Sequence, residues 1–272
     1  MLKNLFIREN LKWKGRTFMR KRLFQVISSI FLSLIALVVL SSISNAASVG
    51  YINASGGSIE YISLYGHSVT DIHNPIGLTL SSLSGYDVVV AASNSVFSEP
   101  GNIGNVLADF ADAGGGVVLT EFVFQGQWAL GGRIMTTGYS PFTIDPSSSG
   151  YGISSNLGTI YDPSSPLFNG LVTSNISTDY QALVGMDPGA FLVADWTSGR
   201  YAIAYNSLTD SSIVALNLFP DGYHITDVDT RHLVANAINF SLGATTVPEP
   251  ATLLLLGSGL IGLGFARKRF KK

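Results

Sequence analysis

Residues 221–232 hold the densest set of reactive side chains in the chain: Asp221-Gly222-Tyr223-His224-Ile225-Thr226-Asp227-Val228-Asp229-Thr230-Arg231-His232. Carboxylates and imidazoles this close could hold a divalent ion, the oxygens favouring calcium and the nitrogens allowing zinc. Asp221, His224, Asp227 and Asp229 are the residues that would do so. Their spacing fits neither H-E-x-x-H nor the calcium loop with its terminal Glu, and Asp227 or Asp229 can instead cap the helix that follows. The expectation is therefore no metal and no cofactor. A second candidate is Glu121, which follows the apolar run 117–119 at the carboxyl end of a strand, where open α/β sheets bind ligands. Glu121 with His224 would make a hydrolase pair; a solvated or hydrogen-bonded turn residue is the ordinary alternative. No cysteine occurs anywhere, which excludes a thiol nucleophile. No G-x-S-x-G elbow occurs within residues 47–246, so a serine hydrolase would need a triad assembled from scattered residues. Binding or scaffolding is the leading expectation, and an extracytoplasmic hydrolase the competing one.

The formal net charge of −2 conceals a segregation. Residues 1–46 carry eight Lys/Arg and one Glu, residues 47–246 carry three Arg and sixteen acids, and residues 247–272 carry five bases and one acid. The middle contains no lysine, its cations being Arg133, Arg200 and Arg231. Phosphate neutralisation needs clustered Lys/Arg, so a nucleic-acid partner is disfavoured. An acidic exterior favours solubility and could recruit cations that bridge acidic polysaccharide. Trp128, Trp196 and tyrosines 139, 151, 161, 180, 201 and 223 could supply a sugar-stacking surface, with core packing as the alternative role for such rings.

The basic ends read as addresses. Basic residues from Lys12 to Arg22 precede the apolar run 26–43, and Ser44-Asn45-Ala46 places small residues before a cleavage point between Ala46 and Ala47. This is a secretion signal for a translocon; an uncleaved anchor is the alternative. At the other end Val247-Pro248-Glu249-Pro250 leads into the uncharged stretch 251–266 and then Arg267-Lys268-Arg269-Phe270-Lys271-Lys272. Sixteen residues at ~1.5 Å each make a short membrane helix whose cationic end stays on the cytoplasmic side. Within it Gly257-Ser258-Gly259-Leu260-Ile261-Gly262 satisfies G-x-G-x-x-G, but no strand precedes it and no chain remains for a βαβ unit. The tail resembles the PEP-CTERM sorting signal of exported bacterial proteins, in Pro248-Glu249-Pro250-Ala251-Thr252, the Leu/Gly helix and the terminal Arg/Lys cluster. The resemblance implies an outer-membrane bacterium, an exosortase-type membrane transpeptidase acting near Pro248, Glu249 and Pro250, and delivery to the cell surface or an exopolysaccharide matrix.

Three segments follow: a signal peptide (1–46), an extracytoplasmic domain (47–246) and a sorting tail (247–272). Within the domain, apolar runs at 48–52, 87–92, 117–120, 191–194, 201–205 and 213–218 predict strands. Val88-Val89-Val90 and Val117-Val118-Leu119 lack polar alternation, which suits strands covered on both faces. Ile103, Val106, Leu107 and Phe110 recur with helical period before Gly114-Gly115-Gly116, and 229–240 predicts a second helix. Residues 57–65 suggest a third. Residues 126–177, rich in Gly, Ser, Pro and Tyr, read as a long excursion with little regular structure. The expected fold is α/β, a mostly parallel sheet with helices on both faces, plus the C-terminal membrane helix. The order resembles class I glutamine-amidotransferase-like, flavodoxin-like domains, through Gly85-Tyr86-Asp87-Val88-Val89-Val90, residues 107–118, Pro166-Leu167-Phe168-Asn169-Gly170, residues 213–219 and 233–238. That resemblance implies a cysteine nucleophile on the sharp turn near Thr120-Glu121-Phe122, where this chain has none.

Overall fold

Uninterrupted valine, isoleucine and alanine runs form the centre of the molecule. The computed structural model describes residues 46–54, 56–145 and 152–243, all within one compact unit, Ser44–Thr246. In chain order these carry β1 (Ser48–Asn53), β2 (Ser68–His73), β3 (Val88–Ala92), α1 (Pro100–Asp112), β4 (Gly116–Thr120), β5 (Phe142–Ile144), β6 (Ser155–Ile160), β7 (Ser177–Thr178), β8 (Val184–Met186), β9 (Phe191–Trp196), β10 (Tyr201–Ser207), β11 (Ser212–Leu216) and α2 (Val228–Ser241). Among the described residues, nine strands join in the order β2-β1-β3-β4-β11-β10-β9-β6-β7, and β5 pairs with β8 separately.

Every residue of β3, β4 and β11 is buried. Because strand side chains alternate between faces, Val88, Val90, Val118, Val214 and Leu216 join one core cluster with Leu233, Val234, Ala237 and Ile238 of α2. Val89, Ala91, Val117, Leu119, Ile213 and Ala215 join the other with Ile103, Leu107 and Phe110 of α1. The two helices thus cover opposite faces, as the apolar runs predict. Proline at the first turn opens α1, and Gly114, at φ 92, turns the chain into β4. Gly104 permits a close approach, since a Cβ there would lie 1.8 Å from the Gly131 carbonyl oxygen. The cap of α2 is Asp227, whose Oδ1 accepts from the N–H groups of Asp229 at 2.8 Å and Thr230 at 3.1 Å.

The expectation of a mostly parallel sheet is corrected. Pairings from β2 through β1, β3 and β4 to β11 are parallel, whereas those from β11 through β10 and β9 to β6 and β7 are antiparallel. The reason is connection length: residues 208–211 and 197–200 are too few for a crossover, so each joins a hairpin. The excursion also holds more structure than expected, because β6 from within it extends the sheet beside β9. Residues 57–65 make only a 3-10 turn, Glu60–Tyr65, stopped by Gly66 at φ 91. No helix among the described residues is long and apolar enough to cross a membrane; the expected membrane helix lies outside the described residues, as does most of the expected signal peptide.

Candidate functional site

The carboxyl ends of β1, β3, β4 and β11 share one edge, and Glu121 sits there directly after β4. The Thr120 hydroxyl donates to the Ala91 carbonyl at 3.0 Å, and Glu121 N–H donates to the Leu218 carbonyl at 3.0 Å, so the turn is tied to strands on both sides. The next residue, Phe122, adopts φ 67, a left-handed conformation unusual for an aromatic residue. Its ring is buried against Trp128, Phe219 and Tyr180, with centroids 5.2, 5.3 and 5.5 Å away. The sharp turn is therefore present, and the side chain on it is an unreactive hydrocarbon inside an aromatic cluster.

Glu121 is wholly buried, and neither carboxylate oxygen has a hydrogen-bond partner. Burial pushes its carboxyl up to about 8, against the opposing pull of the Arg200 charge and the Phe122 backbone. His224 is half-buried, its ring edge-on to Tyr180 at 5.1 Å and tilted against Phe219 at 5.6 Å. Its imidazole makes no hydrogen bond to Glu121. The two members of the candidate pair thus lack the direct contact that proton transfer requires.

The four candidate metal ligands face different tasks. Asp221 Oδ1 accepts from Ser58 N–H at 3.1 Å. Asp227 caps α2. Asp229 accepts from Val172 N–H at 3.1 Å and from Asn175 Nδ2 at 2.7 Å. The carboxylates bind the Ser58 loop, the first turn of α2 and the loop of Val172 and Asn175 rather than a shared point, and no group of three or more His, Asp or Glu side chains among the described residues could hold an ion. A cleft of about 80 Å³ lies beside His224, lined by Thr178, Asp179, Tyr180, Phe219, Asp227 and Thr230. A larger hollow of about 590 Å³ opens at the opposite end of the parallel strands, between Leu80, Tyr86, Asp87, Phe110, Gly114 and Leu242.

The aromatic residues singled out from the sequence divide between core and surface. Trp196 is buried, its indole N–H donating to the Asn217 carbonyl at 3.0 Å. Tyr161 and Tyr223 are exposed, and Tyr161 donates to Asp195. Tyr139 donates to Asp112 at 3.0 Å. Tyr180 is half-buried beside His224, Tyr201 stacks on Phe142 at 6.3 Å, and Tyr151 lies outside the described residues.

Sequence reasoning missed the polar network behind Glu121. Asn217, also fully buried, accepts from Ala182 N–H at 2.8 Å and donates to the carbonyls of Ala182 at 2.9 Å and Tyr201 at 2.7 Å. Arg200 donates to the Gln181 carbonyl, and Gln181 donates to the Ile153 carbonyl at 2.8 Å. The scarcity of cations was the available signal. Each arginine of the domain is used internally: Arg133 by Asp109 and Asp112, Arg231 by the Ile225 and Gly222 carbonyls over the Tyr61 ring, Arg200 here.

The PEP-CTERM protein-sorting motif matches residues 246–269. No curated protein matches the chain. Among solved structures, a cytoplasmic protein of Salmonella typhimurium aligns over 71% of this chain and 98% of its own at 13% identity, with TM-score 0.53. A second cytoplasmic protein, from Salmonella typhimurium LT2, aligns over 71% of this chain and 99% of its own at 8% identity, with TM-score 0.51. At such identities the likeness is one of fold alone. A glutamine amidotransferase from Thermotoga maritima aligns over 74% of this chain and 100% of its own at 9% identity, with TM-score 0.44.

Proposed function

We propose that this chain is an exported surface or matrix protein whose α/β domain binds or scaffolds exopolysaccharide without catalysing a reaction. The observation that carries the export is the sorting motif at 246–269, which implies recognition by exosortase-type machinery. Residues 1–46 take the chain to the secretion translocon and are cleaved between Ala46 and Ala47. Residues 47–246 remain as the mature domain. Residues 247–272 hold the chain in the inner membrane until the transpeptidase acts near Pro248, Glu249 and Pro250.

Support for binding over catalysis comes from the sheet edge. Phe122 occupies the sharp turn, and Glu121 lies behind it with no imidazole in hydrogen-bond reach. A hydrolase needs its acid or base at the substrate, in a concave pocket, whereas the cleft beside His224 is small, about 80 Å³, and Glu121 is not among the residues that line it. The acidic, lysine-free surface favours a polysaccharide held through bridging cations over direct ion pairing with an acidic chain.

The test is intact-mass spectrometry of the protein from its native host, with and without the transpeptidase, followed by co-sedimentation with the host's exopolysaccharide. Loss of the basic tail only when the transpeptidase is present, and sedimentation strengthened by calcium, are expected. A tail retained in both strains removes the processing, and a protein that stays in the supernatant at every calcium concentration removes the matrix role.

A further inference from the structure

Ala47 is 2% exposed although its neighbour Ala46 is exposed, so the domain closes over the chain at the residue where the leader ends. Its N–H donates to Nδ1 of His67 at 3.2 Å, and its carbonyl accepts from Ser68 N–H at 3.0 Å. One residue on, Ser48 N–H donates to Oδ2 of Asp87 at 2.8 Å. The start of β1 is thereby fixed to β2 on one side and to the entry of β3 on the other.

His67 is itself 3% exposed. Burial pushes its imidazole below the ordinary value, partly offset by the Ala235 backbone of α2, so the ring is neutral near pH 7. A neutral imidazole has one accepting nitrogen, and a backbone N–H can only donate; Nδ1 is therefore the acceptor and Nε2 carries the proton. A buried acceptor aimed at one backbone nitrogen has a particular meaning at this position. Hydrolysis of the Ala46–Ala47 bond adds the oxygen of water to the Ala46 carboxyl and a hydrogen to the Ala47 nitrogen. That nitrogen stays on the same Cα, held by the same strand, and its added N–H donors take water on the side that the exposed Ala46 vacates.

We propose, resting on the reading of the leader as cleaved, that His67 is the docking site for the mature N-terminus, its Nδ1 accepting from the new α-amino group of Ala47. Leader removal then leaves the start of β1 held rather than frayed. The Ala46–Ala47 bond must also be cut before β1 docks, because in the folded domain both the nitrogen and the carbonyl of Ala47 are already engaged.

The composition supplies a clean assay. Residues 47–246 contain no lysine, so the α-amine is the only primary amine in that segment, and an amine-selective acylating reagent read by peptide mass reports on it alone. Protein from the native host should begin at Ala47. Its α-amine should be acylated about tenfold more slowly in the folded state than in denaturant, the effect of one hydrogen bond near the upper end of ordinary net strength. His67→Asn, which keeps an oxygen near the Nδ1 position, should retain protection, and His67→Phe, which fills the space without accepting, should lose it. The ring 15N shifts of His67 give a readout that needs no substitution: a neutral ring protonated at Nε2 supports the docking, and one protonated at Nδ1 overturns it. A protein that begins at Ala47 yet labels as fast folded as unfolded overturns the docking and leaves export intact. A protein that begins elsewhere overturns both.

Discussion

The two halves of the large sheet are built on different rules. From β2 to β11 the strands run parallel, and the inner ones are buried on both faces under α1 and α2. From β10 to β7 they run antiparallel, and buried positions are mixed with half-buried and exposed ones. The first half carries most of the apolar area that the two helices cover, so it should carry most of the stability. The connections of the second half supply Arg200 and Gln181, which meet Asn217, the residue after β11, at the seam near Glu121. One half is a scaffold, and the other brings polar groups to the scaffold's edge.

The seam offers the largest expected effect. Glu121 has a folded value of about 8, raised by burial above its ordinary 4.5. A raised carboxyl binds its proton more tightly folded than unfolded, so its contribution is fully present below about pH 4.5 and is lost as pH rises toward 8. At ~1.36 kcal/mol per unit the loss approaches roughly 5 kcal/mol, an upper figure that relaxation of the site will reduce. Glu121→Gln removes the ionisable group. Urea melts at pH 4.5 and pH 9 should show the variant close to wild type at the acid end and clearly more stable at the alkaline end. Parallel curves at both pH values would show that Glu121 ionises freely and that the seam is wet.

A direct contrast of the halves comes next. Leu119→Ala empties a fully buried position of β4 and should cost about 3 kcal/mol, within the range for buried leucine truncation. Leu157→Ala acts on a half-buried position of β6 and should cost about 1 kcal/mol, in proportion to the smaller area lost. Chemical denaturation of both variants measures the difference. Equal costs would mean that the antiparallel half is as much a part of the core as the parallel one.

The same contrast explains what the residues disclosed in advance. Val88–Val90 and Val117–Leu119 are legible because burial on both faces leaves no polar residue in the run, and Asp227 is legible as a cap because it precedes an apolar helical stripe. β2 and β6 are not, because strands with several exposed positions lack that run: Ser68–His73 and Ser155–Ile160 mix polar with apolar residues. The direction of β9 and β10 was within reach, since the apolar runs at 191–194, 201–205 and 213–218 leave six and seven residues between them, too few for a crossover, yet the unalternating Val88–Val90 and Val117–Leu119 suggested a parallel sheet throughout. At the site, Glu121 could be placed at the sheet edge by its position after β4. Its burial could not, since nothing local distinguishes a solvated turn carboxylate from one enclosed by residues 60 to 100 positions later in the chain. The sorting tail was fully legible because it is read as a linear motif rather than through packing.

The smallest effect tests the turn that joins the scaffold to its edge. Phe122 combines a backbone conformation that favours glycine with a ring packed among three others. These act in opposite directions. Phe122→Ala loses the ring contacts, about 3 kcal/mol or more for a buried aromatic, and keeps a Cβ in the left-handed region. Phe122→Gly loses the same contacts but releases that strain, which costs a non-glycine residue about 1 kcal/mol. The glycine variant should therefore be the more stable of the pair by somewhat less than 1 kcal/mol, because glycine also has more unfolded-state entropy to lose. That order reverses the usual advantage of alanine over glycine within regular structure. Denaturant midpoints of the two variants decide it: alanine more stable than glycine would mean that the turn relaxes once the ring is gone, and that the aromatic cluster, rather than the tie between β4 and Leu218, imposes the bend.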